Sequence, residues 1–197
     1  MGTIERRLAQ KERLRRLILD AAAELFVKEG FEKVSMRRIA KKIDYSPMSI
    51  YLHFRDKAAL LDTICVETFA TLIKRLAKLH DYSDDPIETL KAGLRVYIEF
   101  GLRHPYHYQL TFMTRTAGGE RRIHIGRDAF DCMRAAVGAC VKQQRLRTDD
   151  VELVSQILLT AAHGVVALLI ALPRFPWGSR ERLVTEAINS AVRGVER

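Results

Sequence analysis

The stretch SMRRIAKKIDYSPMSIYLHFRDK, residues 35–57, decides the fold. Ser35 is a favoured N-cap, because its hydroxyl can accept one of the N–H groups that the first turn of a helix leaves without a partner. Met36, Ile39, Ala40 and Ile43 follow at helical spacing. Asp44 and Tyr45 interrupt the pattern and Ser46-Pro47 restarts it, with a capping hydroxyl followed by a residue whose missing N–H costs nothing at the first helical position. The second helix is predicted to run from Pro47 to about Phe54, with Ile50 and Phe54 facing inward. Two short helices joined by a tight turn form a helix-turn-helix, whose second helix enters a DNA major groove while the first crosses the backbone.

The residue types in the stretch suit that use. Arg37, Arg38, Lys41, Lys42 and Lys57 are placed to meet phosphates, and Tyr45, Ser49, Tyr51 and His53 are polar or aromatic side chains on or beside the short second helix. A plain pair of amphipathic helices with solvated charges is the competing reading, and charge alone favours it. Three features together separate the two: helices too short to stand alone, a tight turn, and no acidic residue between Arg37 and Ile43.

From about Arg16 to Leu61 the chain resembles the DNA-binding domain of the TetR (tetracycline-repressor-like) transcriptional regulators. The resemblance is carried by Ile18, Ala21-Ala22, Leu25-Phe26, Gly30-Phe31, Ser35, Ile39-Ala40, Ser46, Tyr51, His53-Phe54, Lys57 and Leu60-Leu61. It implies a three-helix DNA-binding unit in which Ser35, Arg37, Tyr45, Ser46, Pro47, Met48, Ser49, Tyr51, His53 and Lys57 form the DNA-contacting set. Two positions depart from the family pattern. Asp44 stands where the turn usually carries Gly, and Asp tolerates the left-handed conformation better than most residues. Met48 stands where a small residue is usual, which implies a different base preference.

Charge agrees with a polyanionic partner. Residues 1–57 carry 14 Lys and Arg against 8 Asp and Glu, whereas residues 58–197 carry 19 against 16, so most of the net +9 lies in the first third. Membrane phospholipid would also suit a basic segment. Cys65, Cys132 and Cys140 are odd in number and lack C-x-x-C spacing, which points to free thiols in a reducing compartment. Met1 to Leu19 is charged throughout, unlike a signal peptide, and the longest apolar stretch, Ala161 to Leu172, reads as too short to span a bilayer. A cytoplasmic location is the expectation. Enzyme motifs are wanting: His104 and His107 straddle Pro105, Cys132 lacks a local His, and no G-x-S-x-G, P-loop or G-x-G-x-x-G occurs. No metal, cofactor or catalytic residue is expected, and an enzyme or a membrane-surface adaptor with a basic N-terminus remains the alternative class.

The rest of the chain reads as helices throughout, giving an all-α fold of about nine. Thr3 to Arg16 either extends the first helix or is a flexible arm, which could follow DNA or equally be a solvated disordered tail, and Leu17 to Glu29 is amphipathic and closed by Gly30. Asp56 caps a long helix from Lys57 to about Leu79, and Asp85-Pro86 starts another with Ile87, Leu90, Leu94, Tyr97, Ile98 and Gly101 inward. Further helices are expected from Pro105 to about Thr114, then, after a Gly118-Gly119 break, from about Arg122 to Gln144 with Ile125, Phe130, Met133, Ala136, Val137 and Cys140 at mixed spacing. The last two run from Asp150 to Leu172, capped by Asp149 and Glu152, and onward from Ser179. A DNA-binding domain of residues 1–56 and a ligand-binding and dimerisation domain of residues 57–197 follow. Apolar residues on several sides of the helix at about 150–172 are explained most economically by burial against a twin subunit, together with the helix at about 179–195, a larger monomer core being the competing reading. The resemblance implies the same homodimer, and a double-stranded operator as partner. Tyr97 to Met113, followed by His163-Gly164, resembles the branch of that family with a Trp-His-Gly element in its ligand domain, with Ala162 at the Trp position. That resemblance implies a small, apolar effector. Tyr97, Phe100, Phe112, Phe130, Met133 and His163 are the candidate lining, although each taken singly is more often plain core.

Overall fold

The computed structural model describes residues 2–80, 82–114 and 120–197, with side chains at all of these except 3 and 120–125. Nine α-helices follow one another among the described residues, and the only β pairing among them is one isolated antiparallel bridge, Leu146 with Glu196. The chain divides into two compact units. One comprises Met1–Thr68 with Tyr106–Arg122, the other Phe69–Pro105 with Ile123–Arg197.

The first unit is built on α1 (Thr3–Glu29), which begins far upstream of its amphipathic part, so the charged segment is helix and not a loose arm. Ile18, Ala21, Ala22, Leu25 and Phe26 form its buried stripe. Gly30, at φ 86°, turns the chain where a side chain would be strained. A 3-10 turn, Phe31–Lys33, then packs Phe31 edge-on against Phe26 at 5.1 Å. α2 (Met36–Lys42) starts at Ser35, whose Oγ accepts the Arg38 N–H at 3.1 Å. Asp44 sits at φ 57°, and the Tyr45 N–H donates to the Ala40 carbonyl at 3.1 Å, closing the turn that the sequence predicts there. α3 (Pro47–Tyr51) is shorter than the predicted run to Phe54, because the His53 and Phe54 N–H groups both fold back on the Ile50 carbonyl. Ile50 and Phe54 join Val34, Met36, Ile39, Leu60, Leu61, Ile64 and Cys65 in one core with α1.

α4 (Lys57–Leu76) follows, with Asp56 Oδ1 accepting the Ala59 N–H at 2.7 Å. It ends three residues early, in a 3-10 turn at Ala77–Leu79. This one helix carries the chain across the boundary between the units at Thr68 and Phe69. α6 (Pro105–Tyr108) continues as a π-turn, Gln109–Met113, that buries Leu110 in the core of the first unit. His107 lies 3.4 Å from Asp20, and Lys28 sits over the Tyr106 ring at 5.4 Å.

In the second unit α5 (Pro86–Arg103) buries Ile87, Leu90, Leu94, Tyr97, Ile98 and Gly101, the stripe that the spacing predicts. α7 (Glu120–Lys142) buries Val137 and Cys140. The Gly118-Gly119 break and the Ile125 side chain lie outside the described residues. α8 (Val151–Ala171) is capped by Asp150, whose carboxylate accepts the Leu153 N–H at 2.9 Å. This corrects the sequence assignment to Asp149, because Asp150 is the residue at the right distance from the first free N–H. α9 (Arg180–Val195) is capped by Ser179. The chain end is fastened down. The Arg147 N–H donates to Val195 and the Arg197 N–H to Arg145, both at 3.0 Å, and Arg145 bridges Asp85 at 2.9 Å and Glu196 at 3.4 Å.

α8 also corrects the expectation of a short apolar run. It has 21 residues, and its most apolar window has a mean hydropathy of 2.1, so it is long and apolar enough to cross a membrane by length and composition alone. Only 33% of that window is buried. Val154, Leu158, Ala162, Val166 and Leu169 face inward, while Leu153, Ile157, Leu168 and Leu172 are each 44–50% exposed. The outward four recur at helical spacing and form a bare apolar stripe.

Candidate nucleic-acid interface

The turn and α3 are fixed by short-range bonds. Ser46 Oγ accepts the Ser49 N–H at 3.1 Å and lies 2.9 Å from Ser49 Oγ, so the two hydroxyls satisfy each other at the start of the helix. Pro47 supplies the first helical residue. Five residues cannot sustain a helix alone, and Ile50, fully buried, is what holds α3 on the core. With Ile50 inward, Tyr45, Met48, Tyr51 and Leu52 project outward, at 41%, 68%, 50% and 76% exposed. Leu52 is the residue that the sequence reading missed. It stands one turn from Met48, and the period that buries Ile50 signals its outward position.

Cations around the turn divide into tied and open. Arg38 is held by Glu29 at 2.7 Å, which raises its pKa above the ordinary value. Lys42 reaches Glu24 at 3.1 Å, and the bonds from Lys28 and Lys42 hold the Glu24 carboxylate below its usual range. Lys57 donates to the carbonyls of Phe31 and Glu32 at 2.9 and 3.2 Å and covers the Phe31 ring at 4.5 Å. Its ammonium thus closes the 3-10 turn, whose carbonyls lack helical partners. Arg37 and Lys41 are exposed, and among the described residues neither is paired with a carboxylate. Ser35 is committed to its cap. His53 is half-buried; burial, then the nearby charges of Lys11 and Arg15, lower its pKa, so the imidazole is neutral at pH 7.

Of the six residues read as an effector lining, five lie in the second unit and Phe112 in the first. Tyr97 and His163 meet, with the phenol oxygen 3.5 Å from Nδ1, and burial lowers the His163 pKa. Phe100 is buried, with the His104 ring at 5.2 Å and the Arg75 guanidinium at 5.3 Å. Phe130 lies under Arg134 at 5.5 Å in an open cleft shared with Gly126, Arg127 and Glu152. Met133 is half-buried on α7. Phe112 packs on Tyr108 at 4.6 Å and belongs to the first unit. An apolar cavity between α5, α8 and α9, lined by residues that include Leu94, Ile98, Leu158, Ala161 and Ile188, holds about 10 Å³, room for one water. Among the described residues no group of three or more His, Cys, Asp or Glu is placed to hold a metal ion. Burial pushes the Cys140 thiol up to about 11, so it stays protonated.

Comparison with known proteins agrees with this geometry. Residues 18–64 match the family described as bacterial regulatory proteins, tetR family, and residues 90–191 match the tetracyclin repressor-like C-terminal domain. The HTH-type transcriptional regulator SAB2452 of Staphylococcus aureus is 31% identical over 116 residues, 59% of this chain and 60% of that protein. The class D tetracycline repressor protein of Escherichia coli is 36% identical over 69 residues, 35% of this chain and 28% of its own length. The chain therefore spans at most 60% of the length of these two relatives. Among solved structures, the TetR family regulator PfmR of Thermus thermophilus superposes with a TM-score of 0.77 at 22% identity, covering 91% of this chain and 99% of that one. KstR2 of Mycobacterium tuberculosis, a ketosteroid transcriptional regulator, gives 0.74 at 19%, covering 91% and 93%.

Proposed function

The chain belongs to the TetR family of bacterial regulatory proteins, and we propose that it is a DNA-binding repressor that grips a palindromic operator as a homodimer and is released by a small apolar inducer. The observation that carries the DNA-binding part is α3. It is held by Ser46 and the buried Ile50, and it turns Tyr45, Met48, Tyr51 and Leu52 to solvent. In this reading those side chains meet base edges and sugars. Arg37, Lys41, the hydroxyl protons of Ser35 and Ser46 and the Met48 N–H at the start of α3 hold phosphates, and the neutral His53 offers a hydrogen bond instead of a charge. Lys57 serves mainly by fixing the 3-10 turn beneath.

The dimer is supported by the bare stripe on α8, which asks for an apolar cover. A second copy meets it with the same stripe, as a two-fold axis requires. Two copies then set their α3 helices about 34–36 Å apart, one turn of DNA. Inducer release is supported by α4, a single helix belonging to both units. The polar pair Tyr97 and His163 would orient the effector. The small volume between α5, α8 and α9 means that binding there must spread those helices, and an effector shifts the equilibrium only by its differential affinity for the two states.

Selection from a random duplex library tests this. The expected result is enrichment of two-fold symmetric sites bound by two chains, with affinity falling steeply with salt. A folded protein that retains no duplex at 50 mM salt overturns it. Release is then screened with fatty acids, steroids and other apolar compounds against the selected duplex. Compounds that bind tightly while leaving operator affinity unchanged would sink the inducer step.

A further inference from the structure

The family match starts at residue 18, yet α1 starts at Thr3. Every described side chain from Ile4 to Arg13 is exposed, so about 15 Å of helix stands beyond the core. Its polarity is patterned. Leu14 packs against the core and Ile18 is fully buried. Arg15 lies over the Phe54 ring at 5.7 Å and pairs with Glu67, which beds this face of α1 on the end of the helix-turn-helix and on α4. Counting back at helical spacing, the same face carries Lys11 and Arg7, with Ile4 and Leu8 beside them, whereas Arg6 and Arg13 fall on the opposite side. The stripe that is apolar over the core thus turns basic where the helix leaves it.

The two carboxylates of the segment are occupied within the helix. Glu5 accepts the Gly2 N–H at 2.8 Å, and Glu12 lies 3.6 Å from Arg16. Among the described residues, Arg6, Arg7, Lys11 and Arg13 have no carboxylate partner. Lys11 is near enough to His53 for its charge to help lower the imidazole pKa, and Arg15 on the same face covers the Phe54 ring at 5.7 Å, which places this basic face beside the segment just past the end of α3.

We propose that the first turns of α1 are a second DNA-contacting element, in which Arg7 and Lys11 hold backbone phosphates flanking the groove entered by α3. This rests on the DNA-binding reading above. The partner is duplex and not a lipid surface, because a membrane helix separates its apolar and cationic residues onto opposite faces, whereas Ile4 and Leu8 share one face with Arg7 and Lys11. Phosphate contacts add affinity without reading sequence.

Two variants of the full chain with equal charge loss test the proposal: Arg7→Gln with Lys11→Gln, and Arg6→Gln with Arg13→Gln. Glutamine forms helix about as well as the residues it replaces, and circular dichroism checks that. Binding to a mixed-sequence 30-base-pair duplex is titrated with salt. The first pair should lower the slope of log K against log salt by about 1.8 per bound chain, at roughly 0.9 per phosphate, and the second should leave it unchanged. Equal slope changes in both pairs, or a change in neither, overturn the proposal while leaving the helix-turn-helix reading intact. So does loss of binding to vesicles containing phosphatidylserine by the first pair with an unchanged duplex slope. A folded native chain that binds no duplex at all removes the underlying reading, and this proposal with it.

Discussion

Around α3 the outward side chains sit on backbone that short hydrogen bonds hold in place: Ser46 to Ser49, Tyr45 to Ala40, His53 and Phe54 to Ile50. Along α8 the outward side chains are as exposed, but they are aliphatic, and their backbone needs no outside help because 21 residues of helix satisfy one another. Exposure means different things in the two places. At α3 a rigid scaffold presents two phenols, a thioether and a leucine, a mixed surface suited to a partner with both polar and apolar edges. At α8 a stable rod presents a surface that water does not reward.

The strongest way to break this contrast is Ile157→Asp with Leu168→Asp. Both side chains are about half exposed in the single chain, so folding should survive. In the proposed dimer, across its two-fold axis, the pair removes four apolar contacts, costing self-association about 4 kcal/mol, roughly a thousandfold. Sedimentation velocity reads this, and an unchanged dimer would make the stripe ordinary surface. At the other region Asp44→Val forces a β-branched residue into the left-handed conformation and should lower stability by about 1–2 kcal/mol, read by thermal unfolding, whereas Asp44→Gly should stay within about 1 kcal/mol. Ser46→Ala removes the α3 cap and should cost about 1 kcal/mol of unfolding free energy without altering self-association. A loss of the dimer in that variant would mean that the two regions are not independent.

The smallest effect is one of pH. His53 and His163, one in each region, both have pKa values lowered by burial. A lowered pKa means that the folded state holds the neutral ring. The stability this carries is present above about 6.5, the ordinary value, and is lost as pH falls through the folded pKa. The unfolding midpoint should therefore drop between pH 7 and pH 5, and His163→Gln should flatten that drop.

What the sequence made legible was local. Ser35, Ser46-Pro47, Asp56, Asp85-Pro86 and Ser179 announce helix starts because a cap and its target lie within three residues of each other. The inward stripe of α5 is legible for the same reason. The errors arise where tertiary packing decides. Asp149 and Asp150 are adjacent carboxylates, and only the backbone path selects the second. The π-turn at Gln109–Met113 exists where Leu110 is drawn into the first core, which no local pattern encodes. Lys57 reads as a free cation until the 3-10 turn, more than twenty residues upstream, brings two carbonyls to it.

α3 borrows its shape from its neighbours, and that bears on specificity transplants. A peptide copied from residues 46–52 would be unstructured and would recognise nothing. Within the intact chain, preference could be rewritten by exchanging only Tyr45, Met48, Tyr51 and Leu52, because none of them holds the scaffold together. Importing a relative's whole segment would bring a foreign anchor to the site of Ile50, and such a chimera would stand or fall on the fit of that one buried side chain before any base was read.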